Sequence, residues 1–416
     1  YSDVYCRVIT IIAGQLIFFQ LAGIFYMKHS LYILFFLFLT SGMDARGLRV
    51  AFVGDPQVDD MVELGYASKS IYKELRQRKD LDLVIILGDL VNDNPHLIGP
   101  SVESLDSLPC PWFAVPGNHD FDVYGGEEKI RDLSTWSEIM GYRDTSFVQS
   151  GVRFILMNNV LYSKDKGYSG RFDKEAMNYI DSLARISHND MPVVLATHIP
   201  VSAMDQKDSI VNIFRDHKKV IYVSGHTHTI ARQDMTEDCS QQELVAGATC
   251  GTWWRGIKDE YGIPYALQNC GSPRGYFIAD FSRNDCRLDY KTVQRSDKAS
   301  AHFVTNDEKD VKTLYINVFG GHRSGNVVLP KLGKAPVTRV YEPAPEVLRI
   351  ISGNRSLSSE HKRKRRDEII PLRRMKSPHL WAVDLPAGHK VPEKILIKYS
   401  DCDMKFKSRI QVVEFK

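Results

Sequence analysis

Leu48-Arg49-Val50-Ala51-Phe52-Val53 runs directly into Gly54-Asp55-Pro56-Gln57. A short apolar run closed by a Gly-Asp-Pro turn reads as a buried strand with a polar loop at its C-terminal end. The same phrase recurs along the chain. Leu83–Leu87 leads into Gly88-Asp89-Leu90-Val91-Asn92, and Trp112–Val115 into Gly117-Asn118-His119-Asp120. Val193–Thr197 ends in His198-Ile199-Pro200, and Val220–Val223 is followed by Gly225-His226-Thr227-His228. Val152–Met157 is a further strand of this kind. Between the strands, Leu64, Ala67, Ile71 and Leu75 fall on one helix face, and 126–140, 173–187 and 208–216 read as helices. Strands that alternate with helices predict an α/β sheet domain over 46–298.

From about residue 299 the pattern changes. Val311–Val318, Val327–Leu329, Val337–Val340, Leu380–Val383, Lys394–Tyr399 and Lys405–Glu414 are strand candidates with little helical pattern between them. They predict a small all-β, sandwich-like domain over 299–416. Ser352–Arg374 interrupts it with His361-Lys362-Arg363-Lys364-Arg365-Arg366, which reads as a solvated loop, with anion or surface attachment as its alternative.

The 54 Lys and Arg nearly balance 51 Asp and Glu, leaving +3, too even for nucleic acid or an anionic membrane as the main partner. Ahead of the first strand, residues 1–45 read as an N-terminal extension and a secretory signal. Met27 is the expected start, followed by Lys28, the apolar run Leu31–Leu39 and small residues. Export to a periplasmic, cell-surface or secreted location is expected, with no membrane span after signal removal. Retention of the apolar stretch 8–26 would give an anchored form instead. Six cysteines remain after residue 45, four of them within 239–286, where a local disulfide is plausible in an exported chain. Their spacing is not that of a zinc finger.

Polar loops at strand C-termini are where an open α/β sheet gathers its site, and glycine lets the chain turn there. The residue types match a two-metal hydrolytic site. Two divalent metals about 3.5–4 Å apart clamp a phosphate and lower the pKa of a shared water. Such a site needs Asp for charge, His and amide groups to complete the shells, one bridging carboxylate, and an unliganded His to protonate the leaving oxygen. Any one Gly-Asp turn or histidine is usually structural, whereas five pieces each following a strand point to a common site.

This order of motifs resembles the calcineurin-like metallophosphoesterase family. Gly247-Ala248-Thr249-Cys250-Gly251-Thr252-Trp253-Trp254, Gly262-Ile263-Pro264, Ser272-Pro273-Arg274-Gly275-Tyr276, Leu314–Phe319 and His379-Leu380-Trp381 look like its exported bacterial branch with a C-terminal β-domain. The resemblance implies a four-layer fold of two packed sheets flanked by helices. It also implies hydrolysis of a phosphomonoester or diester by metal-bound hydroxide, with two divalent or trivalent ions of manganese, iron or zinc. Asp55, Gln57 and His228 would hold the first metal, Asp89 would bridge, and Asn118, His198 and His226 would complete the second. His119 would act as general acid, with Asn92 orienting it and Asp93 and Asp120 as other candidates.

This chain departs from the family pattern in three ways. Gln57 stands where the family usually has His, predicting a weaker first metal. Asn92 replaces the usual carboxylate partner of the catalytic His, and it also stands where purple acid phosphatases carry a Tyr ligand. These departures leave two alternatives: a weakly active or inactive binding protein on the same scaffold, or a glycan- or envelope-binding protein acting through the β-domain. Trp253 and Trp254 read first as packing residues, and Arg255 and Arg274 as surface arginines.

Overall fold

Val50 and Phe52 face one way from their strand while Ala51 and Val53 face the other, and all four are fully buried. A strand buried on both faces needs a layer on each side. The computed structural model describes residues 47–123, 131–163, 167–282, 285–306, 311–332, 336–386 and 389–415. In it the first sheet has the strand order Asp285–Thr292, Gly275–Ser282, Leu48–Val53, Leu83–Ile86, Trp112–Ala114. The second has the order Ile230–Asp234, Gln241–Ala246, Val220–Ser224, Val193–Ala196, Val152–Leu156, Thr145–Gln149.

Val50, Phe52, Leu83 and Ile85 meet Phe154, Val194, Ala196, Ile221 and Val223 in one core between the sheets. On the far side of the first sheet, Ala51, Val53, Val84 and Ile86 pack against Leu64, Ala67, Ile71 and Leu75. On the far side of the second, Ile155, Leu195 and Tyr222 pack against Ile180, Leu183 and Phe214. This is the expected four-layer α/β arrangement.

Local details differ from the reading of the sequence. The face that begins at Leu64 is carried by two helices, Met61–Lys69 and Ile71–Gln77, which break at Ser70. Asp60 caps the first by accepting from the N–H groups of Val62 and Glu63. Within 126–140 only Ser134–Met140 is helical among the described residues, and Arg131–Asp132 is a short strand. Gly275–Ser282 and Asp285–Thr292, missed as strands, form a hairpin whose outer strand alternates exposed and buried residues.

The C-terminal strands form one seven-stranded sheet. Its order is Asn326–Val328, Lys394–Ser400, Lys405–Phe415, Ala299–Asn306, Val311–Val318, Leu380–Pro386, Thr338–Val340. The sheet curls on itself, so that Trp381 and Tyr399, on strands far apart in that order, come within 5.7 Å ring to ring. Its apolar face continues the core of the first domain, with Phe277 and Tyr290 in the same cluster as Ala301, Ile316 and Trp381. The buried Arg232 guanidinium crosses the seam, donating to Asp401 and Asp403 at 2.7 Å each.

The basic run is not a loop. Pro345–Ser356 and Ser359–Lys364 are helices, the second capped by Ser358, and the run remains on the surface. The local disulfide that the cysteine spacing left open is not formed. Cys110, Cys239, Cys250, Cys270, Cys286 and Cys402 are all free thiols. The signal-like segment lies outside the described residues. No helix among the described residues is long and apolar enough to cross a membrane.

Candidate metal centre

Each strand that ends in a polar motif delivers its side chains to one place. Gly225 and Gly117 show why glycine is needed there. A Cβ on Gly225 would stand 2.1 Å from Asp55 Oδ1, and one on Gly117 would stand 2.2 Å from Asp89 Oδ1. The left-handed backbone falls on the candidate ligands themselves: Asp55 at φ 39°, Gln57 at 42°, Asp89 at 47°, His226 at 70° and His228 at 50°. Each such residue costs about 1–2 kcal/mol, and a cluster of five marks a site held in place by the surrounding fold.

Asp89, His198 and His226 offer ligand atoms that all lie within 4.8 Å of one another. His198 Nδ1 lies 2.8 Å from the carbonyl oxygen of Leu87 and donates to it, so Nε2 is the nitrogen that faces the cluster and can hold either a proton or a metal there. Around that Nε2 stand Asp89 Oδ2 at 3.3 Å, Asn118 Oδ1 at 3.1 Å and His226 Nδ1 at 3.1 Å. Lone pairs converging in this way require a proton or a cation among them. Beside them, Asp55 Oδ1 accepts the N–H of His226 at 3.1 Å, and His228 Nε2 lies 3.5 Å from Asp55 Oδ2. Asp55 is fully buried and its Oδ2 has no hydrogen-bond donor. An orphaned carboxylate oxygen among neutral imidazoles fits a bound metal ion.

Charge shifts follow the same geometry. Burial pushes the Asp55 carboxyl well above the usual range. For Asp89, burial is outweighed by the charge and hydrogen bond of His198, and its carboxyl lies below that range. Burial opposes protonation of His198, but Asp89 prevails and raises it to about 9. Burial and the neighbouring His198 charge lower His226 to about 3, and burial chiefly lowers His228 to about 4. The last two are neutral donors ready for a metal.

Gln57 Nε2 donates to Asn92 Oδ1 at 3.3 Å, and Cys250 Sγ lies 3.8 Å from Gln57 Oε1 and 3.9 Å from His228 Nδ1. Asn92 therefore holds Gln57 and does not orient His119, which corrects the reading of Asn92 as the partner of the catalytic histidine. That place belongs to Asp93, whose Oδ2 is 3.2 Å from His119 Nδ1 in a close charge contact off hydrogen-bond alignment. Burial works against protonating His119, yet Asp93 and Asp89 together raise its pKa. Asp120 does something else. Its carboxylate accepts the N–H groups of Val91 and Gly117 and braces two of the loops together.

Three residues had no motif to announce them. Arg131 donates to Asp93 at 2.9 Å and lies over the Tyr162 ring, and the Tyr162 hydroxyl donates to the Asn118 carbonyl at 2.7 Å. Tyr168 packs edge-on to His226 at 5.9 Å. Of the tryptophans, Trp254 is buried and donates to the Pro56 carbonyl at 2.8 Å, while half-buried Trp253 lies 6.2 Å from the His228 ring. Arg274 is buried rather than at the surface, with its guanidinium over the Trp254 ring.

A buried carboxylate–imidazole cluster at the strand ends of a four-layer α/β fold is the arrangement of a metal-dependent hydrolase. The family model for Calcineurin-like phosphoesterase matches residues 48–229, and that for the C terminal of Calcineurin-like phosphoesterase matches residues 243–402. The chain belongs to the calcineurin-like phosphoesterase family and carries its C-terminal domain. Membership makes it a metal-dependent phosphoesterase that uses divalent ions. Comparison with curated proteins and with solved structures finds no match.

Proposed function

We propose that this chain is an exported, two-metal phosphoesterase that hydrolyses a phosphomonoester or diester. The observation that carries the reading is the convergence of Asp89, His198 and His226 on one point, with Asn118 and the orphaned Asp55 oxygen beside it. Asp55, Gln57 and His228 would hold the first metal, Asp89 would bridge, and Asn118, His198 and His226 would hold the second. Export rests on the signal-like segment that begins at Met27.

Bound there, the ions supply Lewis-acid polarisation of the phosphoryl oxygens and activate water. Leu87 fixes the His198 tautomer, and Asn92 fixes the direction of the Gln57 amide. His119 keeps Nδ1 beside Asp93, leaving Nε2 to pass a proton to the departing oxygen. Arg131 holds Asp93 for that task. Metal analysis of the full chain, together with turnover of bis(nitrophenyl) phosphate and nitrophenyl phosphate in added manganese, tests the proposal. About two ions per chain and turnover of either ester are expected, and metal-loaded protein inert to both would refute it.

A further inference from the structure

The segment 355–376 holds nine Lys and Arg against three Asp and Glu, a net charge of +6 in a chain whose total is +3. The rest of the molecule is therefore slightly acidic, and its positive charge is concentrated in one place. That place adjoins the metal centre. The Arg373 N–H donates to Asn269 Oδ1 at 2.8 Å, and the Asn269 N–H donates to the His228 carbonyl at 3.0 Å. Met375 Sδ lies 3.8 Å from Thr229 Oγ1. At the other end of the stretch, the Gly256 N–H donates to the Asp367 carbonyl at 2.8 Å, just beyond the tryptophan beside His228. The segment is thus stitched along the wall formed by His228 and Trp253.

Its charges are available. Lys362, Arg363, Arg366, Arg373 and Arg374 are exposed, and none is in an ion pair with a described residue. Lys364 and Arg365 are satisfied by Glu360 and Glu368. Of the other cations near the site, Arg131 is committed to Asp93 and Arg274 to the Trp254 ring, while half-buried Arg255 acts on Glu63. Acidic groups share part of this wall, since the helix that carries Glu63 also carries Tyr66, whose ring packs on Trp254 at 6.2 Å. Unpaired arginines beside a phosphoesterase site attract a further anionic group of the ligand to that side of it.

We propose that the substrate carries a second anionic group, a phosphate or a carboxylate, held by Arg373 and Arg374 apart from the phosphate that reacts. The inference rests on the phosphoesterase reading and names the substrate class of that site. Arginine suits either anion because its planar fork pairs with both.

The test uses the metal-loaded full chain and three nitrophenyl phosphodiesters whose second ester arm is propyl, ω-carboxypropyl or ω-phosphopropyl. Wild type should favour at least one charged arm over propyl by about tenfold in kcat/KM, mainly through KM, with the advantage fading in salt. The two charged arms distinguish carboxylate from phosphate. Arg373→Gln/Arg374→Gln should bring the preference towards one, and Arg373→Lys/Arg374→Lys should keep most of it. Calorimetric titration with propane-1,3-bisphosphate against propyl phosphate makes the same comparison without turnover. Equal hydrolysis of all three esters by wild type, or a preference that survives the glutamine variant, overturns this inference alone. If only nitrophenyl phosphate is hydrolysed, equal calorimetric affinity for the bisphosphate and for propyl phosphate overturns this inference, and failure on that monoester too overturns the phosphoesterase reading as well.

Discussion

Replacing Asp93 separates two accounts of how His119 is held. Asp93 Oδ2 lies 3.2 Å from His119 Nδ1, and the two side chains are 43% and 27% exposed, so water screens their attraction. A partly exposed pair of this kind contributes about 0.5–1 kcal/mol, a factor of about 2–5 in rate from charge alone. Asp93→Asn keeps an oxygen near Nδ1 and should lose about that factor. Asp93→Ala removes the orienting group and also releases Arg131, so a loss of about 10–50-fold is expected, still short of the roughly 10²–10⁴ expected for His119→Ala. The assay is kcat/KM on a nitrophenyl and an alkyl phosphodiester, with metal content measured on the same samples. The alkyl ester, whose leaving oxygen needs its proton, should suffer more. In a His119→Ala background, Asp93→Ala should add less than about twofold, because the two side chains act as one unit. Equal losses in both backgrounds would refute the assignment of Asp93 to His119.

Other outcomes follow from the same geometry. Asp89→Asn should abolish hydrolysis and lower metal content while the protein stays folded, and two retained metals with normal activity would contradict its bridging place. Asn92→Ala should weaken the metal held by Gln57 without changing leaving-group sensitivity, and Gln57→His should tighten it. Activity titrated against manganese after chelation measures both, and identical curves for wild type, Gln57→His and Gln57→Ala would remove Gln57 from the metal. Arg232→Met leaves the buried Asp401 side chain without its cation and Asp403 with Lys219 alone, 3.8 Å away, and should cost about 3–5 kcal/mol in denaturant unfolding. Burial lowers His302 to about 4 and His379 to about 3 in the folded protein, below an unfolded value of about 6.5. Unfolded chains therefore take up these protons first. Stability should fall as pH drops from about 6.5 towards 4, by up to about 1.4 kcal/mol per pH unit for each histidine. His302→Phe should flatten that slope, and an unchanged slope would exclude His302 as its source.

The strands that carry the site could be read from the sequence because local chemistry decides them. Leu48–Val53 is apolar but for Arg49 because both its faces are covered beyond that residue, and a run of that kind followed by Gly-Asp-Pro has few other readings. Repetition of the phrase also located Asp55, Asp89, Asn118, His198, His226 and His228. Asp285–Thr292 was harder to see because an outer strand alternates with polar residues and shows no apolar run.

Partnerships across the fold were not written locally. Asn92 and Asp93 are sequence neighbours, and only the left-handed turn at Asp93, φ 54°, sends one side chain to Gln57 and the other to His119. Arg131 and Tyr162 join the site from distant segments with no motif, since ordinary packing and one ion pair place them there. The basic run looked like solvated surface because the only partners its own sequence offers are Glu360 and Glu368, which pair with Lys364 and Arg365. The Asn269 side chain and the backbones of His228 and Gly256 bring the segment beside the metal centre through hydrogen bonds between parts of the chain far apart in sequence. Residue type and period thus determined the strands and the candidate ligands at their ends, while the register of distant loops decided which side chains meet.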